Sequence, residues 1–148
     1  MIWKPNVTVA AIIEQRGKFL LVEERVDGDI VLNQPAGHLE EGESLIQAVI
    51  RETLEETAWH FIPEALIGIY RWQSPRNKIT YLRFAFTGKP GQHDVARALD
   101  TGIIRAVWMS QDEIKAARAQ HRSPQVERGI DDYLAGQRYP LACLSDFN

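Results

Sequence analysis

The sequence predicts an α/β fold of the α+β type, in which a mixed β-sheet is sandwiched between helices. Short runs rich in Val, Ile, Leu and aromatic residues are typical of strands. Segments with helical periodicity and capping residues lie between and after them, without strict alternation of the two kinds of element. A chain of 148 residues is long enough for one domain and hardly for two, so we expect a single domain over residues 1–148.

The chain begins with two predicted strands, Val7–Ile13 and Phe19–Glu24. Both are apolar at nearly every position, so we expect a sheet that is covered on both faces. The short turn between them favours a hairpin in which one strand pairs with the other. A shorter strand is predicted at Val31–Asn33, because Pro35 and Gly37 follow it.

A helix is predicted at Ser44–Thr57, because Ser44 and Gln47 form a capping-box pattern at its start. The remaining predicted elements are, in chain order, strands at Leu66–Gln73 and Ile79–Thr87, a loop at 88–102, a strand at Ile103–Met109, a short helix opened by Ser110 with Glu113, and a helix from Ser123-Pro124 to about Gly136.

The composition excludes several classes of protein. Apolar residues make up 45% and charged residues 25%, a globular profile rather than that of a disordered, collagen-like or coiled-coil chain. A net charge of −3 gives no basic field for nucleic acid, and no apolar run is long enough to span a membrane. We therefore expect neither nucleic-acid nor membrane partners. The single cysteine permits no internal disulfide, so we expect a cytoplasmic protein.

Residues 38–56 concentrate negative charge, with six acidic residues against Arg51 as the one Lys or Arg. On a helix, Glu52, Glu55 and Glu56 share one edge beside the apolar stripe. Like charges four residues apart destabilise a helix, so a purely structural helix would place Lys there. Clustered carboxylates without Lys favour a hard divalent cation such as Mg²⁺ or Mn²⁺. A solvated acidic face is the alternative, and composition alone favours it.

The order of the residues favours a site. From Gly37 the chain reads GHLEEGESLIQAVIRETLEETAW, which resembles the Nudix box G-x5-E-x7-R-E-U-x-E-E-x-G-U, where U is a bulky aliphatic residue. Six positions match at the required spacing: Gly37, Glu43, Arg51, Glu52, Glu55 and Glu56. Thr53, Ala58 and Trp59 depart from the pattern. Because Ala disfavours the positive φ of a helix-ending glycine, we expect the helix to run past residue 58 or to end differently.

Further segments, residues 33–40 and residues 136–141 followed by 146–148, are similar to the NudJ-type phosphatases, a bacterial branch of the Nudix hydrolase superfamily. The resemblance implies a Nudix-like fold and a phosphohydrolase that depends on Mg²⁺ or Mn²⁺. The implied substrates are small molecules: nucleoside tri- and diphosphates, thiamine diphosphate and hydroxymethylpyrimidine diphosphate, each losing one orthophosphate at a time. Many relatives split off pyrophosphate or a nucleotide instead, and the sequence leaves the cleaved bond open.

The resemblance also implies roles within the box. The implied metal ligands are carboxylates and one backbone carbonyl: Glu52, Glu56, Glu55 and the carbonyl of Ala36. The implied catalytic group consists of Glu52, Glu56 and Arg51, in which Arg51 braces the carboxylates. Gly37 and Glu43 have structural roles. Glu52 is also the candidate base for water.

A base outside the box is the alternative to Glu52. Asp94 and Asp100, in the predicted loop, are weaker candidates for which solvation is the commoner role. Expected substrate contacts also lie outside the catalytic group: Arg25, His38, Arg83 and Trp72. Each of the last two has a structural alternative, since Arg83 can snorkel from an apolar strand and Trp72 can pack in the core with Tyr70. Arg25 is about as well explained as a surface arginine.

A catalytically weak Nudix-fold nucleotide-binding module is the alternative function. Domains of that kind usually lose box glutamates or the box arginine, whereas this sequence keeps all of them. We therefore predict an enzyme that works as a monomer or a small homo-oligomer.

Overall fold

The computed structural model describes residues 1–147, which form nine strands and three helices. The strands are β1 Asn6–Ile12, β2 Glu14–Gln15, β3 Lys18–Val26, β4 Asp29–Asn33, β5 Ala36–His38, β6 Trp59–Gln73, β7 Thr80–His93, β8 Ile103–Ser110 and β9 Tyr139–Pro140. The helices are α1 Leu45–Thr57, α2 Gln111–Ala116 and α3 Gln125–Leu134. Among these residues, no helix has the length and apolar character needed to cross a bilayer.

The strands form two sheets. A five-stranded sheet has the order β5-β1-β7-β6-β9, and in the other sheet β3 pairs with β2, β4 and β8. The five-stranded sheet is mixed, because β1 runs parallel to β7 and antiparallel to β5. The predicted α+β class with mixed strand directions is confirmed.

The predicted hairpin between the first two strands is wrong. β1 lies in the five-stranded sheet, and the chain crosses at Ile13 into the other sheet, where β3 pairs with the two residues of β2. One hydrogen bond, from the N–H of Leu20 to the carbonyl of Ile13 at 3.0 Å, marks the crossing. Because both strands are apolar on both faces, their pattern carries no information about which strand lies beside which.

The predicted loop at 88–102 is also partly wrong, since β7 continues to His93. Gly88 pairs with Pro63 and Pro90 pairs with Phe61, in a short stretch that has a shift of the β6–β7 register at each end. A proline is tolerated in a strand where the ladder is irregular. The residues that predicted a loop therefore lie in an irregular stretch of the sheet, and the loop is confined to 94–102.

The five-stranded sheet separates two hydrophobic cores. On one face, Val9 of β1 packs in a cluster with Ala48 and Val49 of α1. On the other face, Ile12 of β1 packs in a cluster with Ile130 of α3. Alternate residues of β1 point to opposite faces, so one strand contributes to both cores. Helix α1 is thereby fixed against the sheet by its apolar stripe.

Helix α1 begins and ends with defined caps. The predicted capping box is present, because Ser44 Oγ accepts from the N–H of Gln47 and the Gln47 side chain accepts from the N–H of Ser44. At the other end, Ala58 adopts the left-handed conformation, with φ 62° and ψ 14°. The helix therefore stops at Thr57, and the expectation that it runs on or ends differently is wrong. Ala58 is held by its buried position and by an N–H bond to Leu54 at 2.9 Å.

Replacing Ala58 with Gly is expected to stabilise the protein by about 0.5–1 kcal/mol, since Gly adopts a positive φ without the steric cost. Chemical denaturation measures this as a higher midpoint at an unchanged m-value. Ala135→Gly is the matched control, because Ala135 ends α3 at φ −73° and gains nothing from glycine. Equal stabilisation of both variants would contradict the strain at Ala58.

Candidate active site

The acidic edge of α1 forms part of one wall of a cleft of about 880 Å³. Glu52 and Glu56 line this cleft, and each is 9% exposed. They face it because Val49 and Thr53, on the adjacent stripe of the helix, are fully buried. The sequence predicted that Glu52, Glu55 and Glu56 share one edge of the helix, and of these three Glu52 and Glu56 line the cleft.

Glu56 is held by the backbone of β5. Its Oε1 accepts a hydrogen bond from the N–H of Ala36 at 2.9 Å. Burial raises the pKa of Glu56 to about 8, and the nearby carboxylates of Glu52 and Glu24 act in the same direction. A buried carboxylate with such a pKa gains most from a cation that compensates its charge.

Arg51 organises the surrounding carboxylates. Its Nε and Nη2 donate to the two oxygens of Glu43 at 3.0 and 2.6 Å, and its Nη1 donates to Glu52 Oε1 at 2.7 Å. Nη2 also donates to the carbonyl of His38 at 3.0 Å. The pairing with Arg51 lowers the pKa of Glu43, whereas burial raises the pKa of Glu52 despite the same arginine. Arg51 therefore fixes the position of Glu52 from one side.

Gly37 lets the backbone approach Glu52 closely. A Cβ at residue 37 would overlap the carboxylate of Glu52, because all three of its outer atoms lie well inside van der Waals contact. The box glycine is therefore explained by the space that the Glu52 side chain needs rather than by a positive φ, since residue 37 is absent from the positive-φ glycines.

Replacing Gly37 with Ala is expected to reduce turnover by about 10–100-fold, because a displaced carboxylate misplaces the reacting groups. The flexible Glu52 side chain can move aside, so the free energy of unfolding is expected to change by less than about 1 kcal/mol. Steady-state turnover together with thermal unfolding measures both. Wild-type turnover in a folded variant would show that the position of Glu52 is unimportant.

The two buried carboxylates fit a divalent cation. Their Oε1 atoms accept bonds from Arg51 and Ala36, and no hydrogen bond among residues 1–147 reaches either Oε2. No group of three His, Cys, Asp or Glu side chains within that range is arranged to hold a metal. Mg²⁺ commonly uses one or two carboxylates and completes its shell with water and substrate phosphate. Glu55 lies 3.3 Å from Arg51 and does not line the cleft.

The other side of the cleft carries a cation and aromatic rings. Arg83, from β7, is 6% exposed and lines the cleft. Trp72 and Tyr81 also line it and stack with ring centroids 6.0 Å apart. His38 lies beside them, 6.3 Å from the Tyr81 ring. Tyr70 is engaged elsewhere, because its hydroxyl donates to Asp132 at 2.6 Å.

Three residues considered from the sequence lie outside the cleft lining. Arg25 is exposed and follows Glu24, which does line the cleft, so the alternation of β3 points Arg25 the other way. The N–H of Asp94 donates to Ala58, and that of Asp100 donates to Glu55 at 3.0 Å, both at the end of α1. The charge of Asp100 raises the pKa of Glu52 and of Glu56.

Among the cleft-lining residues that the sequence analysis missed are Glu24, Gln125 and Tyr81. Glu24 accepts from Arg122 at 3.1 Å, and Gln125 is 8% exposed at the start of α3. Period-two alternation along β7 places Tyr81 on the same face as Arg83 and is the one signal that could have identified a missed residue. The other two reach the cleft only through pairing between distant segments.

With the fold and site defined, the family of the chain can be stated. The NUDIX domain model matches residues 3–128, so the chain belongs to the Nudix hydrolases and acts as a hydrolase on phosphoric anhydrides. The resemblance inferred from the box is therefore confirmed.

Particular relatives refine this. Phosphatase NudJ of Escherichia coli strain K12 is 42% identical over 146 residues, which cover 99% of this chain and 94% of that protein. A NUDIX hydrolase from Nitrosomonas europaea is 59% identical with a TM-score of 0.96, covering 97% of this chain and 98% of the other. A MutT NUDIX hydrolase from Burkholderia pseudomallei has the same fold, with a TM-score of 0.74 at 17% identity over 88% and 98% of the two chains. The chain is thus similar to a NudJ phosphatase over nearly its whole length.

Proposed function

We propose that the protein is a metal-dependent phosphohydrolase that releases phosphate from nucleoside tri- and diphosphates, thiamine diphosphate and hydroxymethylpyrimidine diphosphate. The observation that carries the proposal is that one cleft is lined both by the buried carboxylates of Glu52 and Glu56 and by the buried guanidinium of Arg83. A phosphate chain is repelled by carboxylates alone, whereas a cation on the glutamates and the arginine would hold it from both sides. The similarity to phosphatase NudJ supports release of phosphate.

The residues around the cleft have distinct proposed roles. Glu52, Glu56 and the carbonyl of Ala36 would hold Mg²⁺ or Mn²⁺, and Glu55 would join them only by leaving Arg51. When bound, such an ion neutralises phosphate charge and lowers the pKa of a coordinated water. Arg51 acts as a positioning residue, because it holds Oε1 of Glu52, while no hydrogen bond among residues 1–147 reaches Oε2.

Proton transfer from water is assigned to a carboxylate in the cleft. Glu52 is the proposed base, and Glu24 is the alternative, since it lines the same cleft from β3. Arg122 Nη1 donates to Glu24 Oε1 at 3.1 Å, which holds the Glu24 carboxylate in place beside the cleft. Attack in line requires this carboxylate and the leaving group to lie on opposite sides of phosphorus.

The aromatic rings provide a place for the organic part of the substrate. Trp72 and Tyr81 are partly buried, and Trp72 presents its ring beside the cleft. A pyrimidine or purine ring can stack on such a surface. His38 is proposed as a polar contact beside them, whereas Arg25 is proposed only for a substrate that extends beyond the cleft.

The test measures the products formed from ADP, ATP and thiamine diphosphate with Mg²⁺ and with excess EDTA. We expect orthophosphate in every case with Mg²⁺ and none with EDTA, from a monomer or small homo-oligomer acting on small molecules alone. Pyrophosphate released from ATP, in place of orthophosphate, would reassign the cleaved bond. Tight binding of all three compounds without any product would indicate the binding module.

A further inference from the structure

Arg83 is a buried cation without a carboxylate partner among residues 1–147. Its Nη1 and Nη2 lie 3.4 Å from Asn33 Oδ1, and Nη2 also donates to Gln34 Oε1. A guanidinium has five N–H groups, so two of them have no acceptor among residues 1–147. Desolvation lowers the pKa of Arg83 to about 10, and the charges of Glu56 and Glu24 act on it only through space. Within the described part of the chain, the hydrogen bonds of the guanidinium therefore go only to amide oxygens.

A second buried donor belongs to the same cleft. Gln125 is 8% exposed and lines the cleft, and its Nε2 has no hydrogen-bond partner within the described part of the chain. Gln34 links the two donors, because it accepts from Arg83 and donates to the carbonyl of Val126 at 2.8 Å. A buried donor without an acceptor is costly, so the Gln125 amide, beside a guanidinium that has unused N–H groups, indicates an acceptor that comes from a ligand.

The strand register fixes the order of groups along the cleft. Tyr81, Arg83 and Ala85 occupy successive positions on one face of β7, about 7 Å apart. Trp72 pairs with Tyr81 across β6, and Ala36 lies in the row of Ala85, with β1 between them. Arg83 therefore lies between the aromatic pair at one end and the strand that contacts Glu56 at the other.

We propose that Arg83 and Gln125 form a subsite for the inner phosphate, the one that stays on the substrate while the terminal phosphate reacts at Glu52 and Glu56. The inference rests on the proposed function. An inner phosphate carries the charge opposite to the guanidinium, and its two non-bridging oxygens provide one acceptor for each donor. The groups then follow the order of the parts of the substrate. The carboxylates face the terminal phosphate, the guanidinium faces the inner phosphate, and the aromatic pair faces the ring. Substrates need at least two phosphates, and nucleoside monophosphates are products.

The direct test is calorimetric binding of AMP and of adenosine to the protein in EDTA at low ionic strength. We expect Arg83→Met to weaken AMP binding by at least about tenfold and Gln125→Leu by about threefold to tenfold, with adenosine binding unchanged. Arg71→Met is the matched control, because Arg71 is exposed on the opposite face of the same strand as Trp72. Equal loss of AMP and adenosine binding, or no AMP binding by the wild type, would overturn the subsite.

Turnover of ADP with Mg²⁺ separates this inference from the proposed function. If Arg83→Met binds AMP and turns over ADP like the wild type, the subsite is wrong and the function stands. If the wild type binds AMP through Arg83 but releases no phosphate, the function is wrong and the subsite stands. Arg83→Lys keeps the charge and is expected to restore part of the AMP affinity, which a purely structural role of Arg83 does not predict.

Discussion

Replacing Glu56 with Gln is expected to lower kcat by about 10³-fold while leaving the fold intact. A glutamine retains an oxygen for the N–H of Ala36, which lies 2.9 Å from Glu56 Oε1. It does not supply the anionic oxygen that Mg²⁺ prefers. Losing several kcal/mol of charge stabilisation in the transition state corresponds to a factor of this size. Steady-state phosphate release over a magnesium titration measures it.

The same substitution is expected to stabilise the metal-free protein at neutral pH. The pKa of Glu56 is about 8 in the folded protein, against an ordinary value of 4.5. Between these two pKa values the folded state keeps the Glu56 proton, whereas the unfolded state releases it. The stability of the folded protein that depends on protonated Glu56 is therefore fully present below pH 4.5. It is lost as the pH rises through 8. The full pKa shift corresponds to a loss on the order of 4–5 kcal/mol in the free energy of unfolding. The glutamine variant does not show this loss, because its side chain does not ionise.

Urea denaturation at pH 5 and pH 8 in EDTA measures the effect. Glu56→Gln is expected to be more stable than the wild type at pH 8, with a smaller difference at pH 5 and a reversal when Mg²⁺ is added. Glu64→Gln is the control, because the side chain of Glu64 is half exposed and its charge is solvated. If Glu56→Gln were the less stable protein at pH 8 in EDTA, the burial penalty would be wrong.

Replacing Arg51 with Leu is expected to lower the free energy of unfolding by about 2–4 kcal/mol and turnover by about 10²-fold. Arg51 is 22% exposed and contacts Glu43, Glu52 and Glu55. Its removal leaves these carboxylates close together without a cation, which costs more than the loss of an exposed pair. Glu52 also loses the hydrogen bond that holds it in place. Thermal or urea unfolding and initial rates measure the two effects.

Arg118→Leu is the matched control for Arg51→Leu. Arg118 pairs with Glu127 through two bonds of 2.6 and 2.9 Å, so its local geometry is similar. The side chain of Arg118 is 65% exposed, and an exposed pair contributes about 0–1 kcal/mol. A cost for Arg51→Leu no larger than for this control would show that the carboxylates do not need their arginine.

The sequence predicted the features that depend on local spacing. The shared edge of Glu52 and Glu56 follows from the helical period, and the capping residues Ser44 and Gln47 are three positions apart. The hairpin failed because the pairing of β1 is non-local: its neighbours β5 and β7 are distant in sequence. The predicted end of α1 was wrong because burial of Ala58 outweighs the intrinsic preference of a single residue for negative φ.

Only part of the cleft, chiefly its carboxylates, could be predicted from the sequence, because the rest of the cleft depends on contacts between segments that are distant in sequence. The carboxylate wall comes from one helix, whereas the opposite side brings together β3, β7 and the start of α3, where Glu24, Arg83 and Gln125 lie. An arginine in an apolar strand is ambiguous in sequence, and only the structure shows that its partners are the amide oxygens of Asn33 and Gln34. Gln125 has no sequence signal at all, because its unpaired Nε2 depends on tertiary packing.

Anomalous diffraction from crystals soaked in Mn²⁺ tests whether Glu52 and Glu56 hold a metal ion together. We expect one strong peak within about 2.3 Å of an oxygen from each of Glu52 and Glu56, with the carbonyl of Ala36 beside it. In Glu56→Gln crystals soaked in the same way, this peak is expected to disappear. A wild-type peak bound elsewhere, or no peak with both glutamates still turned toward Arg51 and the Ala36 N–H, would contradict a shared metal ion.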